Sequence, residues 1–580
     1  MALFPPELIA AVLVAFLQVR LRSIFSLASL FINGLSFFLP PEDELIQRLN
    51  GGAAPANNAT STKSKGKSAA THTTPLSSDE KMQQFYIKVA KTETGIFQQT
   101  LFFELYEMLV ILASSALVAC VCGDSLAYWR QWNSDAAEAA LDASSTIQAS
   151  IYGLISVLLV SLWFPLMIKF AQGLETYEAR LGIGIGVLGF ILALFAIFSP
   201  KPLFDFDVEE AVALAGERLE IVFRAIGFVD GDFANLASAA GFARLSVYAS
   251  LALLAGIFSS TAFLPAFRFA RMYAEMVNDK QTGVIQKILL HLNIFLPLLA
   301  GICWIKPLST DIVVPKTLVQ CSPRSLTRDC FASAEDEAAF QASWMSLKES
   351  QWNTVRIYIV LFTVLVRLLC FRAHLQYFLI EPKDAIVQIV RRPGHVDGEL
   401  LQNKVRVQFN YLPIIAVQYL APASAILASA LLLAEQTGTS LGVYDAFSTL
   451  LILVGAVQAP TKGLAWFSPA SNLLPDSTPP QLEGFSLGDD MTRETLTKVI
   501  KGMSNYQVVT PRSYASFIGF FLWWLTFTWF AMTVAGFVYW KNVPHVSTTE
   551  QELAFAGQRR NRETPKTLKN QLKSLKLKKR

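Results

Sequence analysis

The sequence predicts an all-α, polytopic integral membrane helix bundle, and three observations carry the prediction. Of 580 residues, 53% are hydrophobic and only 16% charged, with a mean hydropathy of +0.40, a balance rare in soluble globular chains of this size. Apolar runs recur between Leu101 and Tyr539, and about 20 such residues at about 1.5 Å each cross a hydrocarbon core of roughly 30 Å. The positive charge is gathered in a few connections and the tail.

Taken in order, residues 8–19 form an apolar stretch followed by Arg20 and Arg22. The basic residues lie after the apolar core, opposite to a secretory signal's basic start, so the stretch reads as a short anchor and a possible ninth membrane segment. Residues 24–39, scattered with Ser and Gly, suit the membrane interface or the side of the bundle. The acidic start of PEDELIQRL opens a short helix. These form an N-terminal section of residues 1–50. Residues 51–80 are small and polar and cannot bury a core, which predicts a disordered linker.

Residues 81–540 make the membrane domain. Its eight strong spans are 101–122, 150–168, 181–198, 245–267, 288–305, 355–371, 412–433 and 517–539, with a weaker run at 441–457 interrupted by Asp445. In the third span, Gly182, Gly184, Gly186 and Gly189 suit close helix packing, since small residues let backbones approach. The connection DFDVEEAVALAGERLEIVF lacks calcium-loop spacing and reads as an amphipathic helix lying on the bundle. Residues 541–580 are a basic tail. There Leu568, Leu572 and Leu575 recur at helical spacing among lysines, a pattern that suits anionic lipid, an acidic partner or a solubilising tail.

Cytoplasmic connections carry the excess of Lys and Arg near helix ends. The basic arm before the first strong span and the tail after the eighth fall on one side if eight helices separate them, so that side is expected to be cytosolic. The only glycosylation sequon, Asn58-Ala59-Thr60, would then stay unused. Cys321 and Cys330 share a connection on the other side, where a disulfide and two free thiols are both open.

Ionisable groups inside membrane helices cost about 2.5–3.5 kcal/mol on insertion scales and face partners or water. Several occur at what this topology makes the cytosolic level. Glu104 and Glu107 enter the first strong span. Arg268 and Arg271 close the fourth, and His291 and Asn293 enter the fifth. Arg367, Arg372, His374 and Gln376 line the inner end of the sixth, and Gln418 lies about two turns into the seventh. These residues admit two readings: a buried network in which the carboxylates neutralise arginines, or a basic inner-leaflet site for an anionic lipid headgroup. Lys306, at the far end of LLHLNIFLPLLAGICWIKP, reads as a boundary residue whose amine reaches the headgroups.

Other classes are disfavoured. A net charge of +4, with no aromatic-studded basic patch, does not suggest a nucleic-acid partner. Five histidines without a nucleophile, base and orienting partner, and no metal-ligand spacing, suggest neither an enzyme nor a cofactor. No matched pair of broken helices points to an inverted-repeat transporter.

The blocks FLPAFRFARMYAEMVNDKQTGVIQKILLHLNIFLPLLAGICWIKPLSTD, RLLCFRAHLQYFL and YLPIIAVQYLAP, with the early PEDEL, resemble the transmembrane protein 161 family in order and spacing. The resemblance covers residues 263–422 well, the N-terminal arm patchily and the GFFLWWLTF helix plausibly. It implies a multi-pass protein of the plasma membrane or an endomembrane, with ion channels or other membrane proteins as partners. The associated roles are modulation of ion currents in excitable cells and protection against oxidative stress and DNA damage. It carries over no catalytic residue, substrate or cofactor. It also implies an extracellular N-terminal arm, against the charge count. The linker, the Cys321/Cys330 loop and the tail depart from the family pattern.

Overall fold

The computed structural model describes residues 6–22, 26–50, 85–93, 100, 102–133, 136–172, 177–198, 203–226, 233–279, 282–314, 318–320, 329–331, 349–391, 395–437 and 510–542. In chain order the elements are α1 (Pro6–Arg20), α2 (Leu27–Ile32), β1 (Ser36–Phe38), α3 (Asp43–Leu49), β2 (Val89–Lys91), α4 (Phe103–Asn133), α5 (Ala136–Gln172), α6 (Tyr177–Ile197), α7 (Val208–Ile226), α8 (Phe233–Asn278) and α9 (Val284–Ile302). After a 3-10 turn at Lys306–Leu308 and one helical turn at Thr310–Val313 come β3 (Leu318–Gln320), β4 (Asp329–Phe331), α10 (Glu349–Ile380), α11 (Pro382–Arg391), α12 (Gly398–Thr437) and α13 (Pro511–Asn542).

Eight of these helices, α4, α5, α6, α8, α9, α10, α12 and α13, are long and apolar enough to cross a membrane. They are the eight expected from the sequence, and they make this an integral membrane protein in contact with the lipid bilayer. The linker, Asn58, residues 441–457, Cys321 and all of the tail beyond Asn542 lie outside the described residues, and with Cys321 so does the Cys321/Cys330 pairing.

The chain divides into two compact units. The first holds Met1–Phe31, Leu101–Arg372 and Pro413–Ala535. Within it α12 is the innermost span: 94% of its most apolar stretch is buried, against 28% for α6. The glycines of α6 explain how that outer helix is held. A Cβ on Gly189 would lie 2.6 Å from the Cβ of Ser259 in α8, and one on Gly256 would lie 2.8 Å from the Gly186 carbonyl. Only hydrogen at these positions lets the backbones meet. Gly184 faces open space. Trp524 of α13 meets α8 at the same Ser259, its indole N–H donating to the Ala255 carbonyl at 3.0 Å and reaching the Ser259 hydroxyl at 3.3 Å.

The anchor α1 packs along α4. Gln18 Nε2 donates to Ser114 Oγ at 2.8 Å, and Arg22 pairs with Glu107 at 2.7 Å. As the α1 partner number rises, the α4 partner number falls, so the two helices run antiparallel. At about 1.5 Å per residue, the 15 residues of α1 reach about 22 Å, short of a full hydrocarbon core.

A polar knot ties the α6–α7 connection to the end of α9 and the start of α10. Asp205 pairs with Arg356, whose Nη2 also donates to Thr310 Oγ1 at 2.7 Å. The Arg356 guanidinium lies 5.6 Å from the Trp304 ring centroid and 5.5 Å from that of Trp352. Beside it, Phe204 and Ile305 form an isolated antiparallel bridge. Lys306, expected as a headgroup boundary residue, has its backbone N–H held by the Leu203 carbonyl at 3.0 Å.

The second unit holds Ile32–Thr100, Ala373–Leu412 and Gly536–Arg580. Residues 24–39, expected to be interfacial or packed on the bundle, break into α2 and a strand. Gly34 takes a left-handed φ of 75°, which a glycine adopts without strain, and β1 then pairs antiparallel with β2 in the register Phe37↔Ala90. Thr92 fixes the break by accepting from the Leu35 N–H at 2.9 Å and donating to the Ile32 carbonyl at 2.5 Å. The apolar face of α11 packs with Val396, Leu401 and Val405 against Phe38, Phe85 and Ile87. At the edge, Glu42 accepts from Lys88 at 2.5 Å and holds its amine above the ordinary lysine range.

Candidate functional site

The polar residues singled out from the sequence have different fates. Glu107 meets an arginine, but it is Arg22 of the N-terminal segment, and Glu104 is exposed on the same helix. The expected pairing of these carboxylates with Arg268, Arg271, Arg367 or Arg372 does not form. Arg271 instead pairs along its own helix with Glu275 at 3.1 Å. Arg372 donates to the Leu30 carbonyl at 3.1 Å. His291 is exposed and bonds the Tyr273 hydroxyl at 2.8 Å. His374 and Gln376 fall in the second unit, where the Gln376 amide brackets Ser36, accepting from its N–H and donating to its carbonyl, both at 2.9 Å.

Four of them converge in the first unit, around Tyr419 of α12. Asn293 of α9 donates to the Tyr419 hydroxyl at 3.0 Å. Arg268 of α8 donates to the side-chain carbonyl of Gln418 at 2.8 Å. Arg367 of α10 is 2% exposed, and its guanidinium carbon lies 3.5 Å from the Trp529 ring centroid and 4.9 Å from that of Tyr419. Its Nη2 reaches the Tyr419 carbonyl at 3.5 Å, a long contact, and its Nε has no hydrogen-bond partner. Among the described residues no carboxylate pairs with it. Phe371 stacks on Tyr419 at 5.5 Å, and Phe269 lies 6.2 Å from both Tyr419 and Trp529.

The position of Asn293 along its helix also differs from the expectation. The sequence put Asn293 within two turns of the cytosolic helix end, but α9 begins at Val284, which makes Asn293 its central residue. Arg367 lies 11 residues beyond Arg356 on α10, about 16 Å along the helix from the polar knot. An arginine at mid-helix held by aromatic faces and one long contact to a carbonyl is an uncommon arrangement, since buried cations are normally paired. Cation–π attraction supplies about 2 kcal/mol or more when desolvated, which offsets part of the burial cost.

Sequence reasoning missed Trp529, Arg22, Asp205 and Arg356. The run FFLWWLTFTWF signalled an aromatic-rich helix but not which ring would meet a cation. Lys169, just past the apolar run 150–168, turns its amine into α8, bonding the Ser260 carbonyl and, at 3.0 Å, its hydroxyl.

Among known proteins, the family model Tmemb_161AB, described as "Predicted transmembrane protein 161AB", matches residues 2–543. No solved structure matches the chain.

Proposed function

Because the chain belongs to the transmembrane protein 161AB family, we propose that it is a non-enzymatic, multi-pass regulator of ion currents in the plasma membrane or an endomembrane. It acts on ion channels or other membrane proteins by direct contact or through anionic lipid, and by the same route supports protection against oxidative stress. The observation that carries this reading is the solid centre of the bundle. Arg367, Asn293 and Gln418 are 2%, 2% and 5% exposed, and their partners are side chains of neighbouring helices. Polar groups that conduct an ion or proton need water or one another in a continuous row. These instead fix how α12 sits against α8, α9, α10 and α13, which suits a protein whose arrangement of helices is read by a partner.

Whole-cell recording tests the reading. Expression of the protein should change the amplitude or kinetics of currents already carried by the cell's own channels, and blockers of those channels should abolish the effect. A new conductance that survives every such blocker contradicts it.

The alternative is a channel or transporter in its own right. One observation favours it: among the described residues the Arg367 guanidinium has no carboxylate partner and its Nε is unbonded, as in a site that awaits an anion.

A further inference from the structure

One face of α9 is left uncovered along the length of the helix. Val284, Ile288, His291, Phe295, Leu298 and Ile302 are exposed or half-buried, and they recur at spacings of four, three, four, three and four. That alternation is the seam of a helix that packs knobs into holes against a second helix. The opposite face, with Leu290, Asn293, Leu296 and Ala300, is buried in the bundle.

Lipid alone suffices to cover an apolar seam. On α6, the least buried span, the outward side chains include Leu188, Ile191 and Phe195 and are of this kind. The seam of α9 differs at His291, which is exposed. It stands seven residues past Val284, about 10 Å along the helix. On the same face Val284 and Ile288 are exposed on one side of it and Phe295 on the other, so apolar surface that suits hydrocarbon flanks the imidazole in both directions. Its Nδ1 bonds the Tyr273 hydroxyl of α8 at 2.8 Å, and the two rings meet edge to face at 5.6 Å. Among the described residues its Nε2 has no partner. Ionisable groups inside a span face a bundle interior, water or a partner, and rarely hydrocarbon.

We propose that this face is a dimer interface, covered by α9 of a second copy of the chain. Copies inserted in the same direction are related by a two-fold axis along the membrane normal, which sets α9 parallel to its counterpart and brings identical residues together across the seam. His291 then meets His291 of the second copy, and the neutral pair shares one hydrogen bond. In one copy the Tyr273 hydroxyl donates to Nδ1 and the proton sits on Nε2. In the other, Nδ1–H donates to the Tyr273 oxygen and Nε2 accepts. A single polar residue in an apolar seam specifies register and pairing. A helix of another protein would have to carry a matching polar group at the same height, whereas a second copy brings one by symmetry. The self-association goes beyond the regulatory reading and does not depend on it.

Full-length protein carrying one fluorophore on a fused tag, reconstituted in liposomes at falling protein-to-lipid ratios, tests the proposal by counting photobleaching steps. Native protein should form dimers that separate on dilution. His291→Leu should weaken the dimer about 3- to 30-fold, the range spanned by one hydrogen bond between membrane helices. His291→Gln, whose amide both donates and accepts, should restore most of the loss. Oxidative cross-linking locates the contact without touching the histidine: Ile288→Cys and Phe295→Cys should give covalent dimer above the native background, and Leu188→Cys and Phe195→Cys on α6 should not. Should His291→Leu fail to elute as a monodisperse protein, the cross-linking decides. Native protein that stays monomeric at every ratio overturns the proposal and leaves the face to lipid or to another protein's helix. A dimer equally tight in folded His291→Leu, or one that cross-links through α6 and not through α9, overturns it as well.

Discussion

The guanidinium of Arg367 lies against the indole of Trp529, with 3.5 Å from its central carbon to the ring centroid, and both residues are buried in the centre of the bundle. A cation in that position costs desolvation that aromatic faces only partly return. Its retention therefore points to a role other than stability. Arg367→Met, which removes the charge and keeps much of the volume, should melt at or above the native temperature in a thermal-shift assay while losing the effect on cellular currents. A large fall in melting temperature would show that the arginine is structural.

Trp529→Ala should behave in the opposite way. It removes a fully buried ring and uncovers the charge, and large aromatic truncations in a core cost about 3–5 kcal/mol. Unfolding in detergent should report a loss of that size, and an unchanged stability would mean that the Arg367 contact is loose in the membrane.

The α6–α8 contact gives a sharper pair. Gly256→Ala places a methyl 2.8 Å from the Gly186 carbonyl, and overpacking of this kind costs about 1–3 kcal/mol. Gly184→Ala, which meets nothing within 4 Å, should be neutral. Equal effects in a thermal-shift comparison would contradict the register of the two helices.

Arg22 and Glu107 join the N-terminal helix to the first long span at 2.7 Å. Charged hydrogen bonds contribute about 1.5–3 kcal/mol, so Arg22→Glu should lose at least that much through like-charge contact. The exchange Arg22→Glu with Glu107→Arg should recover most of it, measured as a double-mutant cycle in thermal unfolding. No recovery would place the anchor elsewhere.

The eight spans were legible because hydropathy over about 20 residues depends on local composition alone. The glycines of α6 were legible for the same reason, since close approach needs small side chains wherever the partner lies. Pairings were not. Arg356 meets Asp205 and Arg22 meets Glu107 across stretches of chain that no local pattern connects. Glu107 and the arginines of α8 and α10 look equally available until the N-terminal segment takes the carboxylate. Hydropathy places Asn293 nearer the end of its helix than it is because α9 starts at Val284, ahead of the apolar run that opens at Ile288. The spacing of Ser161, Thr261, Asn293 and Gln418 four residues before prolines stands in the sequence in full. Only their burial in the folded chain gives it meaning.

Ion flux through purified full-length protein in liposomes, with no other protein present, tests the regulatory reading most directly. The account predicts flux no greater than in empty liposomes across monovalent cations, protons and chloride. Flux above that background, abolished by Arg367→Ala or His291→Ala in protein that still folds, would contradict it and make the chain a conductor in its own right.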